Sequence, residues 1–201
     1  MTLSRLSPFL ATCLSLCIAQ TALAETIVHH DGGVVQVFFE PVTPDSKKVR
    51  GVIAFDNEPG WKSYWRDPGS SGIPPQINIM IDGQSTEPEL HFPVPQWVSD
   101  DYGGFIGYVG QTNVPFEIAI EPPLKADATI NLDLFAGICR EVCIPIAGHL
   151  STKLPHASAG MTSIDQLRIQ RSFDALPSST HPGVRDVRAQ QKADGRVVVT
   201  L

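Results

Sequence analysis

From residue 27 to about residue 154 the chain is written in short apolar-rich runs with interleaved polar positions, separated by clusters of turn-forming residues. The runs are "VVQVFFE" (34–40), "VRGVIAFD" (49–56), "QINIMID" (76–82), "PELHFP" (88–93), "VPFEIAIE" (114–121), "TINLDLFAGI" (129–138) and "IAGHLSTKL" (146–154). A period of two sends successive side chains to opposite faces of a strand, and runs of this length and spacing predict an all-β sandwich. The period then changes. In "TSIDQLRIQRSFDAL" (162–176), Ile169, Phe173 and Leu176 recur at helical spacing behind Ser163 as N-cap, which predicts one short helix. "PSSTHPG" (177–183) reads as a linker. "GRVVVTL" (195–201) reads as a strand-like tail that either returns to the first sheet or opens a truncated second domain.

The first 24 residues follow another rule. "MTLSRLSPFLATCLSLCIAQTALA" has one basic residue at Arg5, an apolar run from Pro8 to Ile18, and small residues at Ala22 and Ala24 before Glu25. That is the layout of a secretory signal peptide cleaved after Ala24. Its apolar run is too short to span a membrane, and no later segment reaches the roughly 18 apolar residues that a spanning helix needs. The expected division is therefore a signal peptide at 1–24, a β-sandwich domain at 25–156, and the helix, linker and tail at 157–201. At 201 residues and 42% hydrophobic content the chain can hold one full core and an extension.

Arg5 is the one charged residue lost with the leader, which leaves 14 of the 15 basic residues against 21 acidic ones. A net charge of −7 argues against nucleic acid and anionic membrane surfaces as partners. Cys13 and Cys17 also leave, so the exported chain keeps Cys139 and Cys143 alone, an even pair in an oxidising compartment. A disulfide is their expected resting state.

The strand before this pair alternates, with Ile130, Leu132, Leu134, Ala136 and Ile138 on the core face and Cys139 on the other. If "REV" (140–142) is a three-residue hairpin loop, Cys139 opposes Cys143, Ile138 opposes Ile144, Ala136 opposes Ile146, Leu132 opposes Leu150 and Asp133 opposes His149. Each pair then agrees on the buried side, and a slip of one residue would spoil all of them. Ile144 is expected on the core face, and both sulfurs on the outward, surface-facing one. Directly opposed strand residues have Cα atoms about 4.5–5.5 Å apart, within reach of a disulfide. Closing a loop of about five residues stabilises a fold by roughly 2 kcal/mol, low for a disulfide. A surface-facing bond at a hairpin tip is also open to thiolate attack, with Arg140 favouring and Glu141 opposing a thiolate at Cys139. Geometry alone leaves redox exchange and a structural bridge both open. A metal site would add His149 with His29, His30 or Met80, a weak pattern beside a four-ligand zinc motif.

Three segments narrow the choice. "EPGWKSYWRDPGSSGIPPQINI" (58–79), "FPVPQWVSDDYGGFIGY" (92–108) and "GICREVCIP" (137–145) resemble, in order and spacing, the N-terminal periplasmic domain of the thiol:disulfide interchange protein DsbD family. They are most similar to its branch related to the copper-sensitivity suppressor ScsB, and the resemblance spans about residues 34–155. It implies an immunoglobulin-like sandwich whose cysteine pair takes electrons from a membrane-embedded reductase and hands them to periplasmic thioredoxin-like proteins. By the same resemblance Cys143 forms the mixed disulfide with the partner and Cys139 resolves it. The matching cap loop is "SDDYGG", with Tyr102 as the shielding aromatic, Asp100 and Asp101 beside it and Phe105 as the alternative shield; Tyr64 lines the site. Gly103 and Gly104 are turn formers or suit a loop that swings aside. Trp61, Trp65 and Trp97 are expected in the core or at a sheet edge.

These residues together predict a monomeric periplasmic thiol:disulfide oxidoreductase of the electron-carrier type that needs no cofactor, because the two sulfurs carry the electrons. The resemblance implies thioredoxin-fold proteins and a transmembrane donor of the DsbD or ScsB type as its partners, and cytochrome c biogenesis and copper tolerance as its expected settings. The full-length reductases of the family add a multi-helix membrane domain and a thioredoxin domain. The rival readings are a non-catalytic immunoglobulin-like binding module with a structural disulfide, and a copper-handling protein.

Overall fold

A computed structural model of the chain describes residues 25–69, 72–100, 103–157, 163–178, 188–192 and 197–200. The 1–24 signal peptide expected from the sequence lies outside the described residues, as do Asp101 and Tyr102. In chain order the elements are β1 Glu25–His30, β2 Gly33–Phe39, β3 Lys48–Asn57, β4 Lys62–Tyr64, β5 Gln76–Ile81, β6 Gln84–Thr86, β7 Pro88–Leu90, β8 Gln96–Asp100, β9 Gly103–Val109, β10 Thr112–Ala119, β11 Thr129–Cys139, β12 Cys143–Lys153, α1 Ser163–Asp174, β13 Arg188–Gln191 and β14 Val197–Thr200.

Two sheets face each other. One has the order β1-β2-β3-β10-β7; the other runs β6-β5-β11-β4-β9-β8, with β12 also paired to β11. Alternation decides what lies between them: Val35, Val37, Ile53, Phe55, Val114 and Phe116 point in from the first sheet. Ile77, Ile79, Ile130, Leu132, Leu134 and Ile138 meet them from the second. Burying side chains of this size contributes about 1.5–3 kcal/mol each, and the ladder satisfies the backbone groups that go in with them. The result is an all-β sandwich, as the sequence pattern predicted, and an immunoglobulin-like one, as the resemblance implied. All seven predicted runs coincide with strands, namely β2, β3, β5, β7, β10, β11 and β12.

The predicted helix also forms, beginning at Ser163. It lies on the outer face of the first sheet, where Ile169, fully buried, and Phe173 pack on Phe38, Val52 and Ala54. This explains why "VIAF" (52–55) is apolar at consecutive positions: β3 is covered on both faces, so neither parity can be polar. Arg168 fixes the helix by donating to both carboxylate oxygens of Asp56, at 3.2 and 3.1 Å, and the Arg50 guanidinium lies 3.7 Å over the Phe173 ring.

Of the two alternatives for the tail, one is excluded. β14 does not return to the first sheet; it pairs antiparallel with β13 in a two-stranded sheet of its own, Gln191 opposite Val197 and Arg188 opposite Thr200.

Candidate functional site: the disulfide hairpin

β11 and β12 form one long antiparallel hairpin in the register that the side-chain parity required. Cys139 pairs with Cys143, Ile138 with Ile144, Ala136 with Ile146, Leu132 with Leu150 and Asp133 with His149. Cys139 and Cys143 are joined as a disulfide, with Cα atoms 4.1 Å apart.

The two sulfurs occupy different surroundings, and strand order is the reason. β5 flanks β11 only as far as Phe135, opposite Gln76. Past that point the chain before β5 takes over, with Gly137 N donating to Ile73 O at 3.0 Å. At the end of β11 the neighbour becomes β4, where Lys62 opposes Cys139. Cys139 therefore sits between β12 and β4, whereas Cys143 lies at the start of β12. Cys139 is 3% exposed and belongs to a small cluster with Tyr64 and Phe105, against which Val98 packs. Cys143 is exposed, and exposed Val142 and Ile144 flank it.

This corrects the expectation that both sulfurs face solvent. Parity put them on the outer face correctly, but β4 and β9 carry side chains that cover that face over Cys139 alone. Ile144, expected on the core face, is 38% exposed, because burial on β12 begins only at Ile146.

Tyr64 makes the closest polar contact. Its hydroxyl donates to Cys139 Sγ at 2.8 Å and lies 3.2 Å from Cys143 Sγ. The phenol is held from three sides. Tyr64 pairs with Gly107 on β9, its ring meets Phe105 edge-on at 5.6 Å between centroids, and Gly72 leaves no room for a β-carbon against its other flank. Only 4% of Tyr64 is exposed. Lys62, two residues earlier and on the same face of β4, extends its ammonium over the Phe105 ring, 5.1 Å from the centroid.

The remaining residues singled out in the sequence separate into two groups. Phe105 is in the site, buried beside Tyr64 and Cys139. Asp100 ends β8 opposite Gly103, so that the connection to β9 consists of Asp101 and Tyr102, whose placement lies outside the described residues. Gly104 is inside β9, where the Trp97 ring fills the space that a side chain would take. Trp97 itself is 68% exposed on the edge strand, Trp61 is buried in the main core, and Trp65 is half-buried with Arg66 over its ring.

His149 Nδ1 lies 2.7 Å from Asp133 Oδ1 on the outer face of the hairpin. His30 packs edge-on against Trp61 and accepts a hydrogen bond from Gly32 N at 3.1 Å, which ties it to the β1–β2 turn; burial lowers its pKa. Met80 stands opposite Asn131 on β5, and among the described residues no three metal-ligating side chains converge.

The sequence reading missed Lys62, and it missed β4, β8 and β9 as strands. A usable signal was present in "WKSYW" and "GGFIGYV", where Lys62 and Tyr64, then Phe105 and Gly107, stand two apart as same-face positions of strands would.

A three-dimensional relative supports the fold. The chain matches the crystal structure of the N-terminal periplasmic domain of ScsB from Proteus mirabilis with a TM-score of 0.65 and 22% identity, covering 83% of this chain and 63% of that one. The chain thus spans less than two thirds of that structure's length. A search of curated proteins finds no match. The family model described as "Thiol:disulfide interchange protein DsbD, N-terminal" matches residues 34–155, well over half of the chain and the whole of the cysteine site. The chain belongs to the DsbD N-terminal domain family.

Proposed function

We propose that the protein is a periplasmic thiol:disulfide exchange module that relays electrons from a transmembrane reductase of the DsbD or ScsB type to thioredoxin-like partners, through the Cys139/Cys143 pair. The observation that carries the reading is the unequal exposure of the two sulfurs across one bond. An attacking thiolate must approach a disulfide sulfur along the S–S axis, and here Cys143 is open while Cys139 lies beneath Tyr64 and Phe105. Cys143 is therefore the sulfur that forms the mixed disulfide, and Cys139 the one that resolves it.

Tyr64 and Phe105 line the site, with Tyr102, Asp100 and Asp101 completing its cap. The sulfurs store the two electrons, and the chemistry calls for no cofactor. Residues 1–24 act as the export signal, residues 25–156 as the working domain and residues 157–201 as an appendage, whose helix α1 packs Ile169 and Phe173 on the far sheet. No helix among the described residues is long and apolar enough to cross a membrane.

The test is covalent trapping. Cys139→Ala removes the resolving sulfur and leaves Cys143 reactive, so a mixed disulfide with a thioredoxin-fold protein should accumulate in periplasmic extracts and dissolve on reduction. Recovering no such adduct through Cys143 would refute the assignment.

A further inference from the structure

We propose that Lys62 is an electrostatic positioning residue for the exchange reaction, holding the thiolate that departs on Cys139 when the disulfide is opened. The proposal rests on the exchange reading above and adds a residue to it.

The bond-breaking step fixes where charge appears. A thiolate R–S⁻ attacks Cys143 Sγ; a new bond R–S–S–Cys143 forms, the Cys139–Cys143 bond breaks, and its electron pair leaves on Cys139 Sγ. One negative charge enters and one remains, now on a sulfur inside the protein. Cys139 is 3% exposed. Burial raises the pKa of a thiol, and a leaving thiol of higher pKa departs more slowly. The step thus needs a compensating positive charge or donor close to Cys139.

The hydroxyl of Tyr64, 2.8 Å from Cys139 Sγ, supplies one hydrogen bond. It carries no charge. The cation comes from β4: Lys62 is the directly opposed strand partner of Cys139, which puts the two side chains on one face with Cα atoms about 4.5–5.5 Å apart. Its ammonium extends over Phe105, whose ring is itself packed in the cluster of Tyr64 and Cys139. Cys143, Cys139 and Lys62 consequently form one row across three strands, with the exposed sulfur at one end and the cation at the other.

Among the described residues, the other ionisable groups that pairing, contacts and chain proximity place around Cys139 are Tyr64 on β4, Arg140 and Glu141 in the turn, and Cys143 on β12. Phe105 of β9 and Val98 of β8 do not titrate, and the side chains of Asp100, Asp101 and Tyr102 are outside the described residues. Arg140 and Glu141 are both exposed and opposite in sign, so Lys62 remains the cation placed by the sheet itself.

The experiment uses the single-cysteine variant Cys143→Ala, in which the ultraviolet absorbance of the thiolate reports Cys139 alone. In that background Lys62→Met should raise the Cys139 pKa by about one unit, the low end for loss of a neighbouring opposite charge. Lys62→Arg should restore the value, and Arg140→Gln should move it clearly less than Lys62→Met does, because that charge is exposed and screened. With both cysteines present, Lys62→Met should slow reduction by dithiothreitol by about threefold. Lys62→Gln serves as the second neutral variant if Lys62→Met does not fold to the parent near-ultraviolet spectrum. An unmoved pKa in the neutral variant, or an equal rise in Arg140→Gln, overturns the proposal. No protein partner enters these measurements, so they fail independently of the trapping experiment.

Discussion

Reducing the Cys139–Cys143 bond should cost this fold little, and the amount follows from the hairpin. The cysteines are four apart in sequence, so the bond closes a loop of five residues, for which the chain-entropy estimate is about 2 kcal/mol. The ladder below it runs without interruption from the Cys139–Cys143 pair to the Thr129–Lys153 pair, and none of those hydrogen bonds depends on the sulfurs. Tyr64 keeps its donor on Cys139 after reduction and holds the buried sulfur in place. At about 2–4 °C per kcal/mol for a chain of this size, the reduced protein should melt roughly 4–8 °C below the oxidised one. The same cycle sets the redox cost: 2 kcal/mol corresponds to a disulfide held about 40 mV more tightly in the folded than in the unfolded chain. Urea unfolding followed by tryptophan fluorescence, with and without excess reductant, measures the difference. A loss above about 4 kcal/mol, or a reduced protein unfolded at room temperature, would refute the loop argument and favour a structural staple on a non-catalytic binding module.

Three further outcomes follow from the same coordinates. Tyr64→Phe removes the hydroxyl at 2.8 Å from Cys139 Sγ; a hydrogen bond to a charged acceptor contributes about 1.5–3 kcal/mol, so the Cys139 pKa in a Cys143→Ala background should rise by about one unit or more, read by thiolate absorbance. Ile169→Ala empties the contact between α1 and the outer face of β2 and β3 and should cost about 2–4 kcal/mol in denaturant unfolding while leaving the reduction potential of the pair unchanged, because that helix packs on the sheet without the cysteines. Burial lowers the pKa of His30 below 6.5, so the folded state disfavours its charged form: stability should be constant above pH 6.5 and fall as pH drops below it, and His30→Gln should remove that contribution, measured as the urea midpoint on either side of pH 6.5.

The hairpin was legible in the sequence because a period of two over eleven residues on each arm allows one register, and the buried set Ile130, Leu132, Leu134, Ala136 and Ile138 confirms it. The helix was legible for a similar reason, three apolar positions at helical spacing. What lay on the other face of β11 was not. Period-two reasoning says which face a residue joins and is silent on whether a third element covers that face. Lys62–Tyr64 is three residues long, too short to show a period, and its place beside Cys139 is a long-range contact, its Tyr64–Cys139 hydrogen bond joining residues 75 apart in sequence. The resemblance supplied Tyr64 without its geometry and left Lys62 unmarked.

Strand order turns a symmetric disulfide into a directional one. In an isolated hairpin, cysteines that oppose each other are equivalent, each with one covalent and one open side. Adding β4 on one flank of β11 alone breaks that equivalence, because the cover, the hydroxyl donor and the cation all arrive on the side of Cys139. On the exchange reading proposed above, the exposed sulfur receives the nucleophile and the covered one the charge, so a single topological choice would set both steric access and leaving-group stability. Exchanging the two roles would require moving β4 across the hairpin, a change no single substitution can make. Point changes at Lys62, Tyr64 or Phe105 should therefore alter the rate and pKa of the pair while the first bond to a thiol still forms through Cys143, and mass spectrometry of adducts trapped with a small disulfide reagent would show a switch to Cys139 if this were wrong.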